Sequence, residues 1–265
     1  MDGKFALKFA KCSFAHKQID YLGHIVSSDG VQPIPEKVQA IQRWPQPRTT
    51  RALRGFLGLV GFYRRFIKGY ATIAAPHSHL LTKADFVWTP EAEHAFQTLK
   101  DAVTMAPVLA LPNFTKPFTV ETDSSGSGMG VVLSQEGHPI AFFSKQFCPK
   151  LLRSSSYVCE LAAITATVKK WRQYLLGHHF VILTDHQSLK ELMNQAIQTP
   201  EQHWYLARLL GFDYVIQYRA GKSNVVADTL SRSWGQLLLH SSFFQCHILP
   251  SLKTYVRSCR QTKNL

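Results

Sequence analysis

Apolar positions recur along this chain at two periods, and the change from one to the other divides it. Residues 18–33, QIDYLGHIVSSDGVQP, hold an apolar, β-branched run, a Ser-Ser-Asp-Gly turn and a short return. This is the pattern of a hairpin, ended by Pro33 and Pro35. Residues 37–44 have helical spacing and stop at Pro45 and Pro47. Thr50 offers a cap for a second helix in which Leu53, Phe56, Leu57 and Val60 step by three and four. Gly55, Gly58 and Gly61 lie inside it, and because glycine is unfavourable in an exposed helix they predict close packing against a neighbour. Thr89 and Pro90 open a third helix, with Ala92, Phe96, Leu99 and Val103 on one face.

From Pro117 the pattern changes, and KPFTVETD alternates. KPFTVETD, GMGVVLSQ and PIAFFSKQF read as three strands of an antiparallel meander. Gly126, Gly128 and Gly130 follow a strand but precede no helix, so they form a hairpin turn and not a phosphate loop. A long helix is expected over residues 156–176, where Leu161, Ile164, Val168, Trp171 and Leu175 share a face. The strand HFVILTD, helical segments near 188–194 and 200–210, the strand DYVIQY and a last short helix over 224–232 complete the pattern. The expected fold class is α/β: a mixed five-stranded sheet flanked by helices, preceded by a β-hairpin and a small helical unit.

Composition narrows the possibilities. A chain of 265 residues that is 45% hydrophobic and 12% aromatic carries enough apolar material for real cores, which excludes disorder for its bulk. The longest run of apolar residues and glycine, 55–63, is far below the ~20 residues of a membrane span. Asp2 and the lysines of the first segment argue against a secretory signal, so an intracellular location, cytoplasmic or nuclear, is expected. The five cysteines contain no C-x-x-C and the twelve histidines no H-E-x-x-H, so neither a disulfide framework nor a zinc site is indicated.

Charge then adds a partner. The net charge is +13, and residues 37–84 contain no acid but nine basic side chains, interleaved with aromatics. Arg48, Arg51, Arg54, Arg64, Arg65 and Lys68 are among them. Such a one-sign surface neutralises phosphates and gains from counterion release, so nucleic acid is the expected partner; a solvated helix face that keeps the protein soluble is the plainer use.

Acids are few in the second half, and four are suggestively placed. Asp123 ends the first strand of the meander, Glu160 sits early in the long helix, Asp185 ends the fourth strand and Asp228 lies in the last helix. Ligands gather at the carboxyl ends of strands in open α/β sheets. Four carboxylates brought together cannot all stay ionised without a cation, and oxygen-only ligation favours Mg²⁺ or Mn²⁺. Two such ions would serve phosphodiester hydrolysis. Each acid also has an ordinary use: Asp123 in an Asx turn, Glu160 against the helix dipole, Asp185 as a cap, Asp228 as a solvated helix residue.

Taken together, several strings resemble the C-terminal part of a gypsy-type long-terminal-repeat retrotransposon reverse transcriptase. They are YLGHIVSSDG (21–30), LRGFLGLVGFYRRFI (53–67), APVLALPNFTKPFTVETDSSGSGMGVVLSQ (106–135), YVCELAAI (157–164), RQYLLGHHFVILTDHQSL (172–189) and AGKSNVVADTLSR (220–232). The resemblance implies that residues 1–33 are the end of the palm with a primer-gripping hairpin, 34–105 the thumb and connection, and 115–234 a ribonuclease H domain. It further implies that Asp123, Glu160, Asp185 and Asp228 hold two Mg²⁺ ions, with Mn²⁺ able to substitute, for endonucleolytic cleavage of RNA in an RNA/DNA hybrid. Tyr21, Gly23 and His24 of the hairpin, with the six basic residues above, are the implied hybrid contacts, and the remaining palm and fingers an implied partner. No adjacent Asp-Asp occurs, so DNA synthesis by this chain alone is not expected. Ser124 and Thr229 stand where the family usually has alanine, and His77 where it usually has leucine. Residues 235–265 match nothing in the family, and weak order is expected there. A catalytically silent relic that binds nucleic acid through the basic unit is the alternative.

Overall fold

A computed structural model describes residues 8–9, 12–124, 127–189 and 199–219 of the chain. The expected last helix with Asp228, most of the segment near 188–194 and the tail lie outside them.

The first sheet is a meander of β1 (Gln18–Tyr21), β2 (His24–Ser27) and β3 (Gly30–Pro33), all antiparallel. This corrects the single hairpin read from the sequence. A second tight turn at Leu22-Gly23 has positive φ at both residues, 47° and 80°, the signature of a type I′ turn. Leucine rarely adopts that conformation, so nothing in the string YLGHIV announced it.

The helical unit follows. It comprises α1 (Pro35–Gln42), α2 (Thr50–Phe62), a short α3 (Tyr70–Ile73), α4 (Ala75–Thr82) and α5 (Pro90–Thr104). The cap of α2 is Thr49, one residue before the expected Thr50; its hydroxyl accepts from the Ala52 amide at 3.2 Å. Thr89 caps α5 in the same way. Leu53, Phe56, Val60, Phe96, Leu99 and Val103 meet in one core. The glycines of α2 behave differently from expectation. A Cβ on Gly61 would come within 3.2 Å of the Tyr70 hydroxyl, one on Gly55 would make ordinary contact with Trp44, and one on Gly58 would meet nothing within 4 Å.

The second sheet has strand order β6-β5-β4-β7-β8, with β4 (Phe118–Ser124), β5 (Gly128–Gln135), β6 (His138–Gln146), β7 (Phe180–Thr184) and β8 (Tyr214–Tyr218). Strands β4 to β6 are antiparallel, whereas β4, β7 and β8 run parallel. The mixed five-stranded α/β fold is as expected. One face packs on α6 (Ser156–Lys170), with Phe118, Val120, Val131, Leu133 and Ile182 against Leu161, Ile164 and Val168. Val132 and Phe142 point the other way into the core of the helical unit. Both faces of β5 are therefore covered, which is why all eight of its residues are buried. The expected long helix breaks at Trp171 (φ −106°, ψ 24°), and α7 (Arg172–Leu175) starts anew before Gly177 turns the chain into β7. After β7, α8 (Pro200–Leu206) opens with a capping box between Thr199 and Gln202.

Candidate active site and basic face

Strand register brings the acids together. Phe118 pairs with Phe180 and Glu121 with Leu183 in the parallel β4–β7 ladder. Continuing that register by two residues sets Asp123 beside Asp185 at the carboxyl ends of both strands. Helix α6, laid across the same face as Phe118 and Ile182, presents Glu160 over them. Ligand oxygens of Asp123, Glu160 and Asp185 all lie within 4.8 Å of one another. Asp123 and Glu160 are buried, and Asp185 is not. The fourth expected acid, Asp228, is outside the described residues.

Local hydrogen bonds hold this group. The Ser124 amide donates to Glu160 Oε1 at 2.6 Å, and the Thr184 hydroxyl donates to Glu160 Oε2 at 3.2 Å. The His186 amide donates in turn to Thr184 Oγ1 at 3.2 Å. Burial, reinforced by the Asp185 and Asp123 charges and opposed by hydrogen bonding from Ser124, pushes the Glu160 carboxyl up to about 7. The donor set is all oxygen, with two carboxylates buried and one open to solvent, which fits a hard divalent cation.

His186 borders the site. Its Nε2 lies 3.5 Å from the Ser156 hydroxyl, its ring meets Tyr157 edge-on, and its buried Nδ1 has no hydrogen-bond partner among the described residues.

The residues singled out for nucleic acid fall into four groups. Arg48, Arg51 and Arg54 are exposed. Arg64 and Lys68 are half-buried, and burial lowers the Lys68 ammonium below its usual range. Arg65 turns inward instead: its Nη2 donates to the Ile140 carbonyl of β6 at 3.2 Å, which pins the helical unit to the second sheet. In the first sheet, Tyr21 is half-buried, and the Gly23 carbonyl accepts from the Tyr63 hydroxyl at 2.9 Å. His24 is buried among Phe62, Tyr63 and Phe66. Burial first, then the Arg65 charge, lowers its imidazole to about 4, so it is neutral at physiological pH. Its ring therefore fastens the β1–β2 turn to the end of α2 and presents no charge to a phosphate.

A mixed sheet in this order, with carboxylates at the ends of its central parallel pair, defines an RNase H-like domain. Residues 88–182 match the family described as the RNase H-like domain found in reverse transcriptase. The chain's homologues are retrotransposon Pol polyproteins, in keeping with the gypsy-type resemblance. It is 42% identical over 233 residues to the Retrovirus-related Pol polyprotein from transposon 297 of Drosophila melanogaster, covering 87% of this chain and 22% of that one. Against the corresponding polyprotein from transposon gypsy of the same organism it is 35% identical over 246 residues, covering 88% and 24%. The chain thus spans about a quarter or less of the length of these relatives. The structure of the foamy viral protease-reverse transcriptase in complex with RNA/DNA hybrid shares its fold, with a TM-score of 0.69 and 20% identity over 87% of this chain and 32% of that chain.

Proposed function

We propose that this chain hydrolyses the RNA strand of RNA/DNA hybrids endonucleolytically, with divalent metal. The observation that carries the proposal is the convergence of Asp123, Glu160 and Asp185, with ligand oxygens within 4.8 Å at the ends of the parallel pair. On this reading Asp228, outside the described residues, completes the set. Residues 1–33 are then the end of a palm, 34–105 a thumb and connection, 115–234 the ribonuclease H domain, and 235–265 an unrelated tail.

Each side chain has a definable part. Asp123 and Glu160, buried and fixed by the strand end and by α6, set where a cation can sit, and Asp185 closes the set on the solvent side. Two Mg²⁺ ions, or Mn²⁺, would supply the Lewis acidity that the attacking and leaving oxygens of a phosphodiester need. The Ser124 amide and Thr184 hydroxyl orient the Glu160 carboxylate toward its neighbours. Exposed Arg48, Arg51 and Arg54 neutralise backbone phosphates, so a hybrid is held by shape and charge without reading bases. A hybrid substrate places the chain inside the cell, with the remaining palm and fingers as its natural partner.

The test is cleavage of a strand-labelled hybrid beside single-stranded RNA and duplex DNA, in Mg²⁺ or Mn²⁺ and in chelator. The reading expects cutting of the RNA strand of the hybrid only, and only with metal. Exposed arginines in an acid-free segment also favour a second reading, a nucleic-acid binder without activity. Steeply salt-dependent hybrid binding with no metal-dependent cutting would select that one.

A further inference from the structure

Resting on the reading of Glu160 as a metal-holding acid, we infer that Thr184 is a positioning residue, whose single hydroxyl ties the Glu160 carboxylate to the turn that carries Asp185. Thr184 is the last residue of β7 and has no exposed surface. A backbone N–H can only donate, so the His186 amide fixes the Thr184 oxygen as acceptor on that side. That amide takes one acceptor site of the hydroxyl and leaves its proton free for Glu160 Oε2, to which it donates. This gives the bond a defined polarity that suits an ionised carboxylate. Because the Ser124 amide already holds Oε1, both oxygens of Glu160 are hydrogen-bonded, which restrains rotation about its last bond.

The same hydroxyl acts on the second acid through the backbone. A threonine oxygen accepting from the amide two residues on forms a closed turn, and Asp185 is the residue between. One atom therefore sets the carboxylate of α6 and the end of β7 against each other. The backbone of Asp123 is set by the β4–β5 ladder, where it pairs with Gly130. Outer contacts of this kind align metal-holding groups in general, and their loss weakens metal affinity by about 10- to 100-fold.

The experiment compares the full chain with Thr184→Val, which keeps the shape and removes the hydroxyl, and Thr184→Ser, which keeps the hydroxyl and removes the methyl. Mn²⁺ binding is measured by calorimetry, with thermal melts in chelator and the metal dependence of hybrid cleavage alongside. Thr184→Val is expected to bind Mn²⁺ about 10- to 100-fold more weakly. It should also need correspondingly more metal for half-maximal cutting, while Thr184→Ser stays within a few fold of the parent. Should the valine variant fail to melt cooperatively, Thr184→Ala takes its place beside the serine variant. Equal Mn²⁺ affinity in the parent and the hydroxyl-free variant overturns the role of Thr184 alone. A parent chain that binds no Mn²⁺ overturns the metal reading and this inference with it. Weakened binding that serine does not restore assigns Thr184 to packing and overturns the inference.

Discussion

Glu160 is where burial and chemistry oppose each other most directly. Its folded value of about 7 lies above the ordinary 4.5, so the fold favours the protonated form. Without metal, the stabilising contribution of this group is fully present below about 4.5 and is lost as pH rises through about 7. A divalent cation favours the ionised form instead. Mg²⁺ is therefore expected to raise the melting temperature clearly at pH 8 and little at pH 5.5, as scanning calorimetry would record; an equal rise at both would contradict the account of Glu160. His77 makes the opposite case. It is fully buried, its Nε2 lies 2.9 Å from the Ala92 carbonyl, and burial lowers it to about 4 despite that contact and the nearby Glu93 charge. Its stabilising contribution is present above about 6.5 and is lost as pH falls through about 4. Replacing it with the family's leucine should leave stability near pH 7 little changed. At pH 5 the substitution should raise stability by on the order of 2 kcal/mol, read as the difference between denaturation midpoints.

At the scale of elements, the glycines separate backbone need from chance. Gly30 has φ +139°, and a Cβ there would run into the Leu109 carbonyl, which accepts from the Val31 amide at 2.8 Å. Gly30→Ala should break that bridge and destabilise by about 2 kcal/mol or more. Gly58→Ala fills open space on a helix and should stabilise by roughly 1 kcal/mol. Chemical denaturation of both variants checks the pair. The same elements mark what can be read from sequence. The alternating string FTVETD discloses β4 and the near-continuous apolar string GMGVVLSQ discloses β5, because half burial and full burial leave different traces in composition, and Thr89-Pro90 discloses α5. The turn at Leu22-Gly23 is silent because a leucine with positive φ is imposed by the flanking strand pairing. The break at Trp171 is silent because apolar spacing continues across it into Leu175. Among site residues, Asp123, Glu160 and Asp185 stand out as rare acids at element ends. Thr184 does not, because threonine in a strand is ordinary and its partner is 24 residues away in sequence. The inward turn of Arg65 and the burial of His24 are likewise tertiary facts, since side-chain direction in a short connecting segment follows from what packs beside it.

For the whole molecule, the decisive feature is that the basic unit and the carboxylate sheet share structure. Val132 and Phe142 of the sheet enter the helical core, Val31 pairs with Leu109, and Arg65 holds β6. The exposed arginines of the helical unit and the carboxylate cluster of the sheet are therefore held in a fixed relation. Replacing Arg48, Arg51 and Arg54 together by alanine should weaken hybrid binding. It should also lower the slope of log K against log salt by roughly 2 to 3 if each contacts one phosphate, leaving Mn²⁺ affinity unchanged. A filter-binding salt series tests this. The central claim rests on one comparison: cutting of an end-labelled RNA/DNA hybrid in Mg²⁺ by the chain and by its Asp123→Asn variant. The account predicts discrete RNA fragments from the parent and loss of at least about 100-fold in rate from the variant, because a buried member of the cation-holding cluster is gone. Equal cutting by the two would contradict it.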